Sequence, residues 1–317
     1  MSVFKFEPIY KKRVWGGKQF SELFDPSLNP SEKFGESWNI VDRDVDQSMC
    51  KLDTNEVITI RELLLRKGRE IMGPSWIGGR RFPILIKWLD CQERLSLQVH
   101  PPKELAAKLG GEPKTENWYV VKSSNNSGLF LGFNKKVSKS QFEKALKENN
   151  AEEVCNRIES QPNDSILVKS GRIHAIDAGN LILEIQQNSD TTYRVYDWGR
   201  MGLDGKPRKL HVQESLESID FQDKNQSALK TGNDPGIQTI AECEHFRVRR
   251  LNLSVNTNYK IKESSTECAI LSPFKGKPFC ENQLLEIGSS YISPYSNSCE
   301  IESEEESSLL ITDFFSH

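Results

Sequence analysis

No stretch of this 317-residue chain approaches the unbroken apolar length of a membrane span, and the first residues, MSVFKFEPIYKKRVWGG, lack the apolar centre of a secretion signal. No membrane partner is therefore expected. An excess of charge of one sign is also missing: 42 Lys and Arg stand against 45 Asp and Glu, a formal net charge of −3. That balance carries no electrostatic footprint for nucleic acid. The cysteines, seven and scattered, never form C-x-x-C. They are expected to be free thiols of a reducing cytoplasm, with neither a disulfide frame nor a cysteine zinc site. The segment GPSWIGGRR lacks the Gly-Lys-Ser/Thr ending of a phosphate loop, and no G-x-S-x-G elbow occurs, so serine hydrolysis is excluded. Histidines are few, five in all. A metal site must then draw on histidine, carboxylate or amide.

What is present is mainly short apolar runs bounded by turns: FPILIKWLD, RLSLQVH, NWYVV, GLFLGF, DSILVKSGRIHAI and NLILEIQQ. They read as strands. Helical signals are local, with capping boxes at Thr59/Glu62 and Ser140/Glu143. Helices do not alternate regularly with strands, so the pattern predicts a mainly β protein, a barrel or sandwich, with a helical insertion spanning about 102–160. Apolar residues thin out across DKNQSALKTGNDPG (223–236), which predicts one domain over 1–232 and a second, smaller β-domain over 233–317. The run EIESEEESS reads as a solvated turn.

The stretch LSLQVHPP alternates Leu95, Leu97 and Val99 with Ser96, Gln98 and His100. A period of two gives a strand with one apolar and one polar face. That polar face is either washed by solvent or aimed at a ligand. Gln98 and His100 project to the same side and can reach one ion, His174 in GRIHAI could close the site from another strand, and Glu116 in KTENWYVV could supply a carboxylate. Zinc takes nitrogen and oxygen donors and, in catalytic use, keeps one position open. Spacing alone does not select these four from other combinations.

The set LSLQVHPP, KTENWYV, GRIHAI and EIQQNSDTTYRVYDWGR, preceded by VWGG and GESW, closely resembles the type I mannose-6-phosphate isomerases in their short bacterial form. The resemblance runs from about Trp15 to His211. It implies a cupin-type β-barrel or jelly roll. The implied activity is zinc-dependent interconversion of mannose 6-phosphate and fructose 6-phosphate through a cis-enediol intermediate, the alternative being a cupin that binds sugar phosphate without turnover. Residue by residue, it implies one zinc on Gln98, His100, Glu116 and His174, and an active-site arginine at Arg194. It further implies pocket roles for Lys114 and Glu184 as candidate proton carriers, and for Ser96 and Arg200 beside the sugar phosphate. A lysine close to zinc is expected to be pushed toward its neutral form. Trp15 and Trp118 are expected to pack the barrel, and His211 to be structural. Arg172 stands where the family carries a small polar residue. Oligomeric state is left open.

Overall fold

The strand Ile84–Cys91, ILIKWLDC, is buried at every position, so it must run through the middle of a layered structure with both faces covered. The computed structural model, which describes residues 3–134, 136–223, 227–261 and 266–315, shows the two coverings; His317 lies outside the described residues. Ile84, Ile86 and Trp88 face one apolar cluster with Ile270, Ile292, Leu310 and the helix residues Leu63 and Leu64. Leu89 and Cys91 face another, with Trp118, Leu129, Leu131 and Ile176. Alternation along one strand thus divides two cores.

That strand belongs to an antiparallel seven-stranded sheet in the order Leu229–Lys230, Asp164–Val168, Glu116–Ser123, Asn180–Gln187, Ile84–Cys91, Phe34–Ile40, Ile9–Gly17. A five-stranded sheet faces it across the second cluster, in the order Cys155–Glu159, Gly128–Phe133, His174–Ile176, Leu97–Val99, Tyr193–Tyr196. The two make a barrel. The outer side of the five-stranded sheet is covered by Phe142 from the helix Lys139–Lys147 and Leu216 from the helix Val212–Ser218. An eight-stranded sheet packs on the other side of the seven-stranded one, and a four-stranded sheet completes the C-terminal part. No described helix is long and apolar enough to cross a membrane.

Several expectations are corrected. The eight-stranded sheet contains Phe4–Phe6, Met49–Lys51 and Val57–Thr59, with Phe4 opposite Ile292, so a division at 232 does not follow the sheets. Strand pairing across nearly the whole chain leaves no local trace in composition. The segment 102–160 holds the short helix Lys103–Ala106 and the helix Lys139–Lys147, but also the barrel strands Glu116–Ser123 and Gly128–Phe133. It is not a separate helical insertion. The Thr59/Glu62 box forms at the start of Ile60–Met72, whereas the second box is made by Ser138 and Gln141, two residues before the predicted pair. The motif repeats at that offset, and the structure uses the earlier copy. Finally, Cys280 and Cys299 are joined as a disulfide, against the expectation of free thiols throughout; Cys50, Cys91, Cys155, Cys243 and Cys268 are free.

Candidate active site

The strand Leu97–Val99 resolves the ambiguity of its polar face. Leu97 and Val99 pack into the outer cluster with Phe130 and Phe142. Ser96, Gln98 and His100 therefore point inward, into the barrel. His174 lies directly opposite Gln98 in the neighbouring strand, and Glu116 enters from the seven-stranded sheet. Ligand atoms of His100, Glu116 and His174 all fall within 4.8 Å of one another, and all three residues are buried. His100 Nε2 is 3.3 Å from Glu116 Oε2, His174 Nε2 is 3.6 Å from Glu116 Oε1, and the Gln98 amide is 3.3 Å from His174 Nε2.

The outer ring nitrogens are both engaged: His100 Nδ1 with Thr191 O at 2.9 Å, His174 Nδ1 with Arg172 O at 2.8 Å. A carbonyl acceptor fixes the proton on Nδ1 and turns the Nε2 lone pair to the centre. Burial, reinforced by His100, holds His174 down to about 3, and burial with Lys114 lowers His100. Neutral imidazoles are the ligand form. Burial would raise the Glu116 carboxyl, yet Lys114 and the histidines hold it well below the usual carboxylate range.

This donor set fits a divalent cation. His100 Nε2 and both Glu116 oxygens are buried without a well-aligned hydrogen bond. Such groups are costly unless compensated, and a cation bound by nitrogen and oxygen donors compensates all of them at once. Gln98 can join through its amide oxygen by a half-turn of the amide group.

Above this floor opens a cavity of about 640 Å³ lined by Trp15, Ser96, Gln98, Lys114, Glu184 and Arg194, among others. Arg194, opposite Gln98 in register, donates from Nε to Ser96 Oγ at 3.3 Å. The charged wall comes from Lys87 and Glu184 on adjacent strands and from Lys114, just before the strand Glu116–Ser123. Lys114 Nζ lies 2.6 Å from Glu116 and 3.6 Å from Glu184 Oε1, while Lys87 Nζ is 3.7 Å from the same Glu184 oxygen. Trp118 Nε1 donates to Glu184 Oε2 at 3.1 Å. Burial, then the Glu116 charge, raises the Glu184 carboxyl, against Lys114 and Lys87. Burial would lower the Lys114 ammonium, but Glu116 and Glu184 raise it.

Arg200 is not in this cavity. Its guanidinium is bound to Asp197 at 2.9 Å and to the Arg94 carbonyl. Arg208 lines the cavity instead, and the same Asp197 carboxylate accepts its Nε at 2.7 Å. The chain doubles back between Arg200 and Arg208, bridged at Met201 and Pro207, so that both arginines meet the one Asp197 carboxylate. Lys87, Glu36, Arg13, Asp190 and His211 also line the cavity and were not named as site residues. Lys87 carried a signal: one lysine inside the apolar run ILIKWLDC.

Comparison with known proteins points to a family. Residues 3–124 match the model of the phosphomannose isomerase type I catalytic domain. The mannose-6-phosphate isomerase ManA of Bacillus subtilis (strain 168) is 34% identical over 260 residues, covering 80% of this chain and 81% of that protein. A crystal structure of the mannose 6-phosphate isomerase from Bacillus subtilis superposes with a TM-score of 0.85 at 28% identity, over 99% of this chain and 100% of that one. A zinc-bound mannose 6-phosphate isomerase structure shares the fold at a TM-score of 0.76 and 17% identity, over 98% and 99% of the two chains. With that identity held over four-fifths of both sequences, on a mainly β, cupin-type fold, the chain belongs to the type I phosphomannose isomerases.

Proposed function

We propose that this chain interconverts mannose 6-phosphate and fructose 6-phosphate through a cis-enediol intermediate, with one zinc held by Gln98, His100, Glu116 and His174. The observation that carries this reading is the convergence of three buried ligating residues, two of them with unpartnered ligand atoms, next to Gln98 and Lys114 in the wall of a cavity that Glu184 and Arg194 also line.

The reaction moves a proton between C1 and C2 of the sugar, and its difficulty is the weak acidity of a carbon next to a carbonyl. Negative charge growing on the sugar oxygens must be stabilised where it develops. When bound, zinc supplies a Lewis acid for those oxygens and a fixed template for their orientation. Arg194 keeps a permanent positive charge beside the same space, tied to Ser96 so that its plane is set. Glu184, raised by burial, is a carboxylate with added proton affinity, suited to taking the carbon-bound proton at Oε1 and returning it. Lys114, 3.6 Å from that oxygen, balances its charge and serves as the second proton carrier. A phosphate dianion requires cations or donors at the mouth, and Ser96 with Arg208 meets that requirement where Arg200 does not.

A coupled assay for fructose 6-phosphate formation on zinc-loaded protein tests the proposal. Folded, zinc-loaded protein that binds mannose 6-phosphate without turning it over would leave the non-catalytic binder as the correct reading.

A further inference from the structure

Arg172 precedes the ligand histidine by two residues yet keeps out of the cavity. It is 8% exposed, and its guanidinium forks onto Asp223, Nε to Oδ2 at 2.7 Å and the NH2 group to Oδ1 at 3.0 Å, while its NH1 group donates to Leu167 O at 2.7 Å. Its main chain does the work at the metal site. The Arg172 carbonyl is the acceptor that holds His174 Nδ1 at 2.8 Å. One residue earlier, the Gly171 amide donates to the His100 carbonyl at 2.8 Å, and Gly171 sits at a φ of +84°, which a side chain would strain. A single turn, 169–173, is thus bonded to both metal histidines.

That turn is pinned from outside by the segment carrying Asp223. The Asp220 amide donates to Gly171 O at 2.8 Å, and the Asp223 carbonyl accepts from the Phe133 amide at 3.2 Å. The fork between Arg172 and Asp223 is the side-chain part of this clamp. A planar guanidinium on a carboxylate fixes distance and angle together, which an ammonium does not. Once the Arg172 Cα is fixed, the direction of its carbonyl follows, and with it the ring plane of His174.

We infer that the Arg172–Asp223 pair is a positioning device for the metal centre, setting the aim of His174, and through Gly171 the strand of His100, from the side of the turn that faces away from the substrate. The inference rests on the reading that His174 ligates a metal. Both residues are positioning residues; neither touches the cavity.

The test measures zinc retention, by transfer to a competing chelator, and the visible absorption of the cobalt-substituted protein. The parent chain is compared with Arg172→Met, Asp223→Asn, the double variant and Arg172→Lys. Loss of the clamp is expected to weaken metal retention about 10- to 100-fold, the range found when partners of metal-bound histidines are removed. The cobalt band should shift, and KM at saturating zinc should stay within about twofold. The double variant should lose no more than either single one, because both remove the same fork. Arg172→Lys, which keeps the charge and the buried stem, should fold and lose an intermediate amount; it carries the test if Arg172→Met does not fold. Variants that hold zinc as tightly as the parent, or single losses that simply add, would overturn the inference. A parent chain that takes up no zinc would overturn the metal reading itself, and is recognised before any substitution is made.

Discussion

The two faces of the seven-stranded sheet differ in kind although they alternate along the same strands. Ile86 and Lys87 are neighbours, as are Leu183 and Glu184, and all four are buried. Ile84, Ile86 and Trp88 of one strand and Leu181, Leu183 and Ile185 of the next meet the helix Ile60–Met72 and the eight-stranded sheet in a continuous apolar cluster. Their alternates, Lys87 and Glu184, meet across the strands inside the barrel. One face earns stability through close packing, and the other concentrates charge that burial alone would not tolerate. The lesson is that the apolar face holds the charged one in place: the backbone that positions Glu184 is the backbone that Leu183 and Ile185 anchor.

Substitutions on the two faces should therefore have separable effects. The largest loss of activity is expected for His174→Ala, which removes a ligand; turnover should fall at least about 1,000-fold with zinc content near zero, by metal analysis alongside the coupled assay. Arg194→Ala should cost about 100- to 1,000-fold in kcat, the scale of losing a preorganised charge at the reacting oxygens, with zinc retained. On the opposite face, Ile86→Ala should leave kcat per folded molecule unchanged and destabilise by about 2–4 kcal/mol in urea unfolding. An inactive but fully stable Ile86→Ala protein would break the division between the faces. A smaller effect concerns Glu36. Burial would raise its carboxyl, but Lys87 and Arg13 hold it at about 2, below the unfolded value of 4.5. A depressed carboxylate stabilises the folded state above pH 4.5, and that contribution is lost as pH falls from 4.5 towards 2. The melting temperature of Glu36→Gln should accordingly change less than that of the parent between pH 5 and pH 3. The smallest change, about 1 kcal/mol with no effect on kcat, is expected for Thr59→Ala, which removes the capping box of the helix under the apolar face.

Much of this arrangement was legible in the chain. Period two at Leu95–His100 put Gln98 and His100 on one face, and the resemblance carried by four motifs picked Glu116 and His174 to join them. What escaped was set by contacts distant in sequence or by irregular backbone. Phe4 pairs with Ile292, so no composition break marks where the sheets divide. Arg208 rather than Arg200 lines the cavity, beyond a chain reversal bridged at Met201 and Pro207. Cys280 and Cys299 lie 19 residues apart with no motif to couple them. Lys87 was readable in principle, since a lysine inside an eight-residue buried run needs an internal partner, and Glu184 is that partner.

The placement of Phe4–Phe6 between Ser290–Ser293 and Met49–Lys51 has a consequence for how the molecule is made. During translation Phe4–Phe6 leaves the ribosome nearly 290 residues before the segment that flanks it on one side. The eight-stranded layer cannot close until Ser290–Ser293 has been made, and a nascent chain stalled before Ser290 would carry Phe4–Phe6 with one edge unpaired. Assembly of this layer waits on its most distant strand.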